Sequence, residues 1–218
     1  NTASIEALIE AVNLQRGGKS IRFDPIIPQI LGELSSDSKL EPAFRALALT
    51  LPLEGDIARE IGRNVDPDAI YAARNKLIRD TAAKNSAIFD IVIGTVRSRD
   101  AFAPDAASAG KRALKNILLD YVSVNSGAPA LAAGEFSAAT NMSDRLAALS
   151  ILCSRFSETT QAEQALQEFE NRHGHDSLTM DKWFATQAIT PGPRTLERII
   201  GLTKHKAFSF ANPNRMRS

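Results

Sequence analysis

The sequence of 218 residues is poor in the residues from which most catalytic and metal sites are built. It contains one cysteine, three histidines and one tryptophan, and Cys153 alone cannot form an intrachain disulfide. No apolar run approaches the ~20 residues that span a bilayer. We therefore expect a cytoplasmic protein from a reducing compartment, without a membrane partner.

The signatures of common catalytic sites are missing as well. The sequence contains no Gly-x-Ser-x-Gly elbow, no phosphate-binding loop, no Gly-x-Gly-x-x-Gly turn and no His-Glu-x-x-His helix. Cys153 lies in the apolar series of a predicted helix, where thiols are ordinarily inert. We expect no catalytic residue and no cofactor within this chain.

His173-Gly174-His175-Asp176 is the one cluster of metal-ligand residue types. A His-x-His pair could chelate a metal from an extended strand, but this cluster follows a predicted helix and has no third ligand nearby in the sequence. Basic side chains at a helix C-terminus also interact favourably with the helix dipole. We therefore interpret the cluster as a solvated helix end and predict no metal site.

Positive charge is concentrated at the carboxyl end of the chain. From residue 193 onward six basic residues face one acidic residue, net +5, whereas the whole chain is only +1. Basic residues interleaved with Phe208 and Phe210 could bind single-stranded nucleic acid. The preceding residues are net acidic and would repel phosphate, so we expect no nucleic-acid partner and expect both phenylalanines to anchor a loop on a neighbouring helix.

Apolar residues recur at helical spacing along nearly the whole chain. Asp24-Pro25, Asp66-Pro67 and Asn212-Pro213 each place a capping side chain before a proline, which is typical of a helix start. Twelve helices are predicted, at 3–16, 24–35, 39–50, 55–63, 66–85, 86–98, 104–126, 128–139, 142–156, 159–173, 176–189 and 193–205. A further helix start is predicted at Pro213.

One segment, Ile88 to Val96, is apolar on nearly all sides and rich in β-branched residues, so periodicity alone would also allow a strand. We interpret it as a buried helix. A dozen short helices joined by tight turns predict an all-α fold, an irregular α-solenoid or superhelical stack of antiparallel helix pairs of the HEAT-like kind. The whole chain, 1–218, is expected to form a single helical domain.

Three stretches carry a resemblance to a known family. They are ATNMSDRLAAL (Ala139–Leu149), LTMDKWFATQA (Leu178–Ala188) and HKAFSFANPNRMRS (His205–Ser218). In residues, order and spacing they resemble the C-terminal helical domain of bacterial aminopeptidase N, a zinc metallopeptidase of the gluzincin type. The likeness extends from about Asp24 to Ser218 and is loose before about Lys111.

This resemblance implies a non-catalytic domain that caps the active-site chamber of a zinc aminopeptidase and restricts which peptides enter it. The parent would remove N-terminal residues from peptides, and its zinc would be bound by a domain not present here. The partners would be the other domains of the parent and, through it, peptide substrates. The resemblance also implies a fragment truncated at both ends.

Three residues are candidates for the wall of the substrate chamber: Arg215, Asn212 and Lys204. Asn212 is predicted to cap the helix that Pro213 begins, which would project Arg215 from the first turn. Arg215 could then face the peptide, or it could pair with a carboxylate between helices. The sequence leaves both alternatives open.

Two further predictions follow from the residues. Trp183 lies at helical spacing with Met180, Phe184 and Gln187, so it should be buried with its indole N–H bonded to a polar group or to ordered water. The alternative is an exposed tryptophan whose partner helix lies beyond Ser218. A rival to the peptidase assignment is a free-standing α-solenoid that binds a protein or peptide. The upstream reading frame distinguishes the two, because only a peptidase parent encodes His-Glu-x-x-His several hundred residues earlier.

Overall fold

The computed structural model describes residues 2–97 and 101–217, and in this part of the chain it contains thirteen α-helices and no strand. The predicted all-α fold class is therefore confirmed. The residues divide into two compact units, with the boundary between Ser126 and Gly127. Within the described ranges, no helix combines the length and apolar character needed to cross a membrane.

The first unit contains seven helices. Their bounds are α1 Thr2–Arg16, α2 Ile26–Ser36, α3 Pro42–Leu49, α4 Glu54–Ile61, α5 Pro67–Lys84, α6 Ser86–Val96 and α7 Ala106–Ser126. Helix α5 packs against α1, α2, α4 and α7, and α7 also packs against α3 and α6. Tyr121 closes this core: its hydroxyl donates to the Leu49 carbonyl at 2.9 Å, and its ring lies 5.3 Å from that of Phe89.

The second unit contains six helices. Their bounds are α8 Ala130–Ala138, α9 Met142–Phe156, α10 Thr160–His173, α11 Ser177–Ala188, α12 Thr195–Thr203 and α13 Pro213–Arg217. From α8 to α12 each helix packs against the next, and α11 also packs against α9 and α13. Helix α11 is thus the central element of this unit.

The sequence predicts the helices well because their ends are fixed by local chemistry. Every predicted helix is present, and no described boundary differs from its prediction by more than three residues. Asp66 accepts a hydrogen bond from Ala69 N–H at 3.0 Å, as a capping carboxylate should. The predicted last residue of the sixth helix, residue 98, and the end of the third motif, residue 218, lie outside the described residues.

The ambiguous apolar segment is a helix. It forms α6, whose Phe89, Val92, Ile93 and Val96 are buried while Ile91 is 68% exposed. The spacing of the buried residues is that of one helix face packed against α7. The interpretation as a buried helix is confirmed.

Candidate functional site

The candidate site is built on α11. Asp176 begins this helix by accepting a hydrogen bond from Thr179 N–H at 2.9 Å, an arrangement that holds the pKa of its carboxyl below the ordinary value. The helix then presents Met180, Trp183 and Phe184 to the core, each at most 6% exposed. The predicted face is confirmed, and it carries the residues around which the carboxyl end of the chain folds.

Trp183 is the hydrogen-bonded centre of this face. Its indole N–H donates to the Leu166 carbonyl on α10 at 3.0 Å, and its ring meets Phe184 edge-on at 5.1 Å between centroids. The prediction of a buried tryptophan with a satisfied N–H is confirmed. The bond ties α11 to α10 as well as filling the core.

Arg215 lies against α11 and is only 4% exposed. Its Nε donates to Asp181 Oδ1 at 2.6 Å, Nη1 donates to the Ala207 carbonyl at 2.5 Å, and Nη2 lies 3.2 Å from both oxygens of Ser177. The guanidinium carbon also lies 4.8 Å from the centroid of the Phe184 ring. Of the two alternatives left open by the sequence, the structure describes the ion pair between helices.

The two other sequence candidates differ from Arg215 in their surroundings. Asn212 Oδ1 accepts from the N–H groups of Asn214 and Arg215 at 3.0 and 3.3 Å, so its predicted capping role is confirmed. Lys204 follows the last residue of α12 with an exposed side chain. The structure therefore brings Asn212 and Arg215 together and leaves Lys204 at the surface.

Sequence reasoning missed His205 as part of this site. Its Nδ1 accepts from Ala207 N–H at 3.1 Å and its Nε2 lies 3.0 Å from Glu170 Oε1. Its ring contacts both Trp183 and Phe184, at 5.2 and 5.4 Å between centroids. In the neutral ring the proton therefore sits on Nε2, which donates to the carboxylate. No signal in the sequence links His205 to a glutamate 35 residues earlier.

Phe208 and Phe210 contribute unequally to holding the loop after α12 on a neighbouring helix. Phe208 meets Phe184 of α11 at 5.8 Å between ring centroids, which confirms the predicted contact with a neighbouring helix. Phe210 stacks edge-on against Phe208 at 5.0 Å but remains 69% exposed. Phe208 is therefore the anchor of the loop, and Phe210 adds little buried surface.

The residues considered for metal binding or catalysis lie in structural packing environments. His173 packs on Phe169 at 4.8 Å between rings, and burial together with the positive charge of Arg145 lowers the pKa of this histidine. Cys153 is buried, which confirms its predicted core position, and this burial raises the pKa of its thiol to about 11. Across residues 2–97 and 101–217 no three His, Cys, Asp or Glu side chains form a potential metal-binding group.

Comparison with known families and proteins gives consistent matches. A family model described as "Domain of unknown function (DUF3458_C) ARM repeats" matches residues 2–218. Aminopeptidase N of Caulobacter vibrioides is 38% identical over 190 residues, which is 86% of this chain and 22% of that protein. Aminopeptidase N of Escherichia coli is 34% identical over 184 residues, covering 84% of this chain and 21% of that protein.

The same pattern holds for a third relative and for a solved structure. Aminopeptidase N of Haemophilus influenzae is 32% identical over 92% of this chain and 23% of its own length. Aminopeptidase A of Legionella pneumophila, solved in complex with aspartic acid, matches 99% of this chain and 26% of its own at a TM-score of 0.84 and 24% identity. That likeness establishes the fold. The chain spans between a fifth and a quarter of the length of these curated relatives.

Proposed function

Because this chain belongs to the DUF3458_C family of ARM-repeat helical domains, we propose that it is the non-catalytic C-terminal domain of a zinc aminopeptidase. The observation that carries the proposal is the coverage of the relatives. Three proteins named Aminopeptidase N match 84–92% of this chain with only 21–23% of their own length. In such an enzyme, a domain that makes up 21–23% of the length would be linked in the same chain to the catalytic domain.

The proposed role is to cap the active-site chamber and to restrict substrates to peptides that fit it. An aminopeptidase must keep folded proteins from its catalytic groups, and a wall of helices does so by shape without supplying a reacting atom. The described residues offer no group that fits a zinc ion, so no step through zinc is assigned to this chain. The parent is proposed to be cytoplasmic.

Helix α12 presents a surface suited to contact with another part of the parent. Leu196, Ile199 and Ile200 are 70%, 37% and 48% exposed, and no residue of α12 is buried. Their spacing places them on one face, and such apolar patches are typical of interaction sites. A free-standing peptide-binding module could use the same face, so this surface supports either kind of partner.

For the three sequence candidates we propose a division of roles in the chamber wall. The exposed ammonium group of Lys204 is free to meet a peptide. Arg215, through Asp181, and Asn212, through its cap, hold the segment that follows Lys204 on α11. We expect Lys204→Met in the complete protein to raise KM for peptides more than for aminoacyl anilides.

The attachment to a peptidase is tested by the reading frame that surrounds this chain. A frame encoding His-Glu-x-x-His several hundred residues upstream supports the proposal. A start codon immediately before Asn1 would refute it and favour the free-standing binding module.

The restricting role is tested with the complete protein by comparing two substrates. An aminoacyl chromogenic anilide reports chemistry, and a small folded protein with a flexible N-terminus reports access. We expect Arg215→Met, which loosens the segment on α11, to change the ratio of the two kcat/KM values without loss of bound zinc. Arg217→Met is the matched control, because it removes an exposed charge from the same helix. An unchanged ratio in both variants would contradict the role.

A further inference from the structure

An apolar groove in the first unit is bordered by α1, α2 and α3 and belongs to none of the roles described above. Its volume is about 420 Å³. Ala3 and Ser4 of α1, Ile30 of α2, and Phe44 and Leu47 of α3 are among the residues that line it. Among the described residues of this lining, Ser4 is the only polar one and none is charged. The groove is therefore suited to apolar side chains rather than to an ion or a polar small molecule.

Large apolar side chains are left in contact with water along this groove. Ile30 is 45% exposed, Phe44 is 54% exposed and Leu47 is 62% exposed. Single exposed apolar residues are ordinary on protein surfaces, but contiguous ones are typical of sites where another protein surface packs. Since these three side chains line one groove, they form a contiguous surface of that kind.

The two helices that carry these side chains are held in place by buried contacts. Helix α3 packs on α7, where a Cβ on Gly110 would lie only 3.0 Å from the Ala43 nitrogen. Arg45 of α3, which is 7% exposed, donates from Nε to the Ser35 carbonyl of α2 at 2.8 Å. Neither helix can therefore turn its apolar side chains inward without breaking these contacts. The groove is preformed, which lowers the cost of ordering it on binding.

The place of the groove along the chain indicates what covers it. Domains of stacked helical repeats need polar outer faces on their terminal repeats, yet the first three helices of this chain expose an apolar one. This face therefore resembles an internal surface on which a further helix packs. Ala3 and Ser4 lie in the first turn of α1, so the chain that leads into α1 arrives at the groove itself. A covering segment that comes directly before α1 has a high effective concentration at this place.

We propose that the groove binds an amphipathic helix of the parent chain that precedes Asn1. The inference rests on the proposed function, because a C-terminal domain has the rest of its parent upstream. The curated relatives leave ample length for such a helix, since this chain covers only 21–23% of them. The helix inserts apolar side chains, three and four positions apart, between α2 and α3 against Ile30, Phe44 and Leu47.

Photocrosslinking in the complete protein identifies the segment that occupies the groove. Benzoylphenylalanine replaces Ile30 in the groove and, in the control, Ile91, which is 68% exposed on α6 and does not line the groove. We expect the probe at position 30 to link to a peptide upstream of Asn1 in the same molecule, and the probe at position 91 to give little of this product. A mixture of isotopically light and heavy protein separates links within one molecule from links between copies.

A substitution in the opposite wall of the groove tests whether apolar contact holds the helix there. Leu47→Asp places a carboxylate in the contact, so the yield of the upstream product from position 30 should fall about tenfold. Ile91→Asp is the matched control, because it adds the same charge to an exposed isoleucine outside the groove, and it should leave the yield unchanged.

Three results would overturn the proposal. One is the absence of the upstream product from position 30. Another is a product that forms only between light and heavy molecules, which would place a second copy in the groove. The third is an equal yield from positions 30 and 91, which would show that the contact is not specific to the groove.

The crosslink does not depend on catalysis, so its outcome can be separated from that of the proposed function. An inactive parent that binds no zinc but gives the upstream product would refute the proposed function and support the helix in the groove. An active zinc aminopeptidase that lacks the product would support the proposed function and refute the helix in the groove.

Discussion

Replacing Arg215 by methionine tests whether the carboxyl end of the chain is held on α11 by one buried side chain. Arg215 donates to Asp181 at 2.6 Å and to the Ala207 carbonyl at 2.5 Å, and the side chains of the pair are 4% and 17% exposed. Breaking a buried pair by removing one partner costs ~3–5 kcal/mol, because the remaining charge stays desolvated. Partial hydration of Asp181 places the expected cost near the lower end, ~3 kcal/mol.

Urea unfolding followed by Trp183 fluorescence measures this loss in the unit that contains Arg215. At an m-value of about 1.5 kcal/mol/M, a loss of ~3 kcal/mol lowers the unfolding midpoint by about 2 M. Methionine keeps much of the apolar contact with Phe184, so the loss reports the polar contacts. Arg217→Met, exposed in the same helix, should change the midpoint little.

A double-mutant cycle with Asp181→Asn separates the ion pair from the other contacts of Arg215. The neutral amide removes the uncompensated charge, so the double variant should be more stable than Arg215→Met alone by ~1 kcal/mol or more. The reasoning is refuted if Arg215→Met unfolds at the same midpoint as Arg217→Met. It is equally refuted if the loss in free energy of unfolding in the double variant equals the sum of the losses in the two single variants.

Three further substitutions have outcomes that follow from local geometry. Gly32→Ala places a Cβ 1.9 Å from the buried, hydrogen-bonded Asn85 side chain. It should therefore lower the free energy of unfolding by ~1–3 kcal/mol, measured by circular dichroism. Gly94→Ala, which has open space around it, should be neutral or stabilising. Burial raises the pKa of the Cys153 thiol to about 11 in the folded state, above its ordinary value of 9.0. Between these pH values the unfolded state loses the proton more readily, so the free energy of unfolding should fall by up to ~3 kcal/mol as the pH rises, relative to Cys153→Ala. A parallel loss in both proteins would contradict this. Asn141→Ala should cost ~1 kcal/mol, since Asn141 caps α9; an unchanged thermal midpoint would contradict it.

The helices could be predicted because the information for them is local. A capping side chain, a proline at the first position and apolar residues three and four apart lie within a few positions of one another, as at Asp66 and Asn212. For α6 the local pattern also allowed a strand, and the one-sided burial of its residues against α7 identifies the helix in the structure. Asp24-Pro25 shows the limit of this reasoning: Asp24 accepts from Ile26 N–H at 2.9 Å, and the helix begins two residues after the predicted start.

The candidate site could be predicted only in part, because its contacts join residues far apart in sequence. The partner of Arg215 on α11 lies 34 residues away, and the glutamate that meets His205 lies 35 residues away. Such pairs depend on how α10, α11 and the carboxyl end pack, which periodicity does not encode. The amide nitrogen of Gln187 has no hydrogen-bond partner among the described residues. This too is a property of packing, since helical spacing assigns Gln187 to a buried face without showing which partner its amide has there.

The basic carboxyl end shows why a count of charges does not describe a surface. Sequence alone assigns net +5 to the residues from 193 onward, and Arg215 contributes to that count. In the folded chain Arg215 is buried against Asp181, and Arg194 is paired with Glu158. The cations of this region therefore serve two purposes: some fix the segment to its own domain, while others, such as Lys204, remain exposed to solvent. Only the exposed ones act on a partner through long-range attraction, so the field of this region is weaker than its sequence indicates.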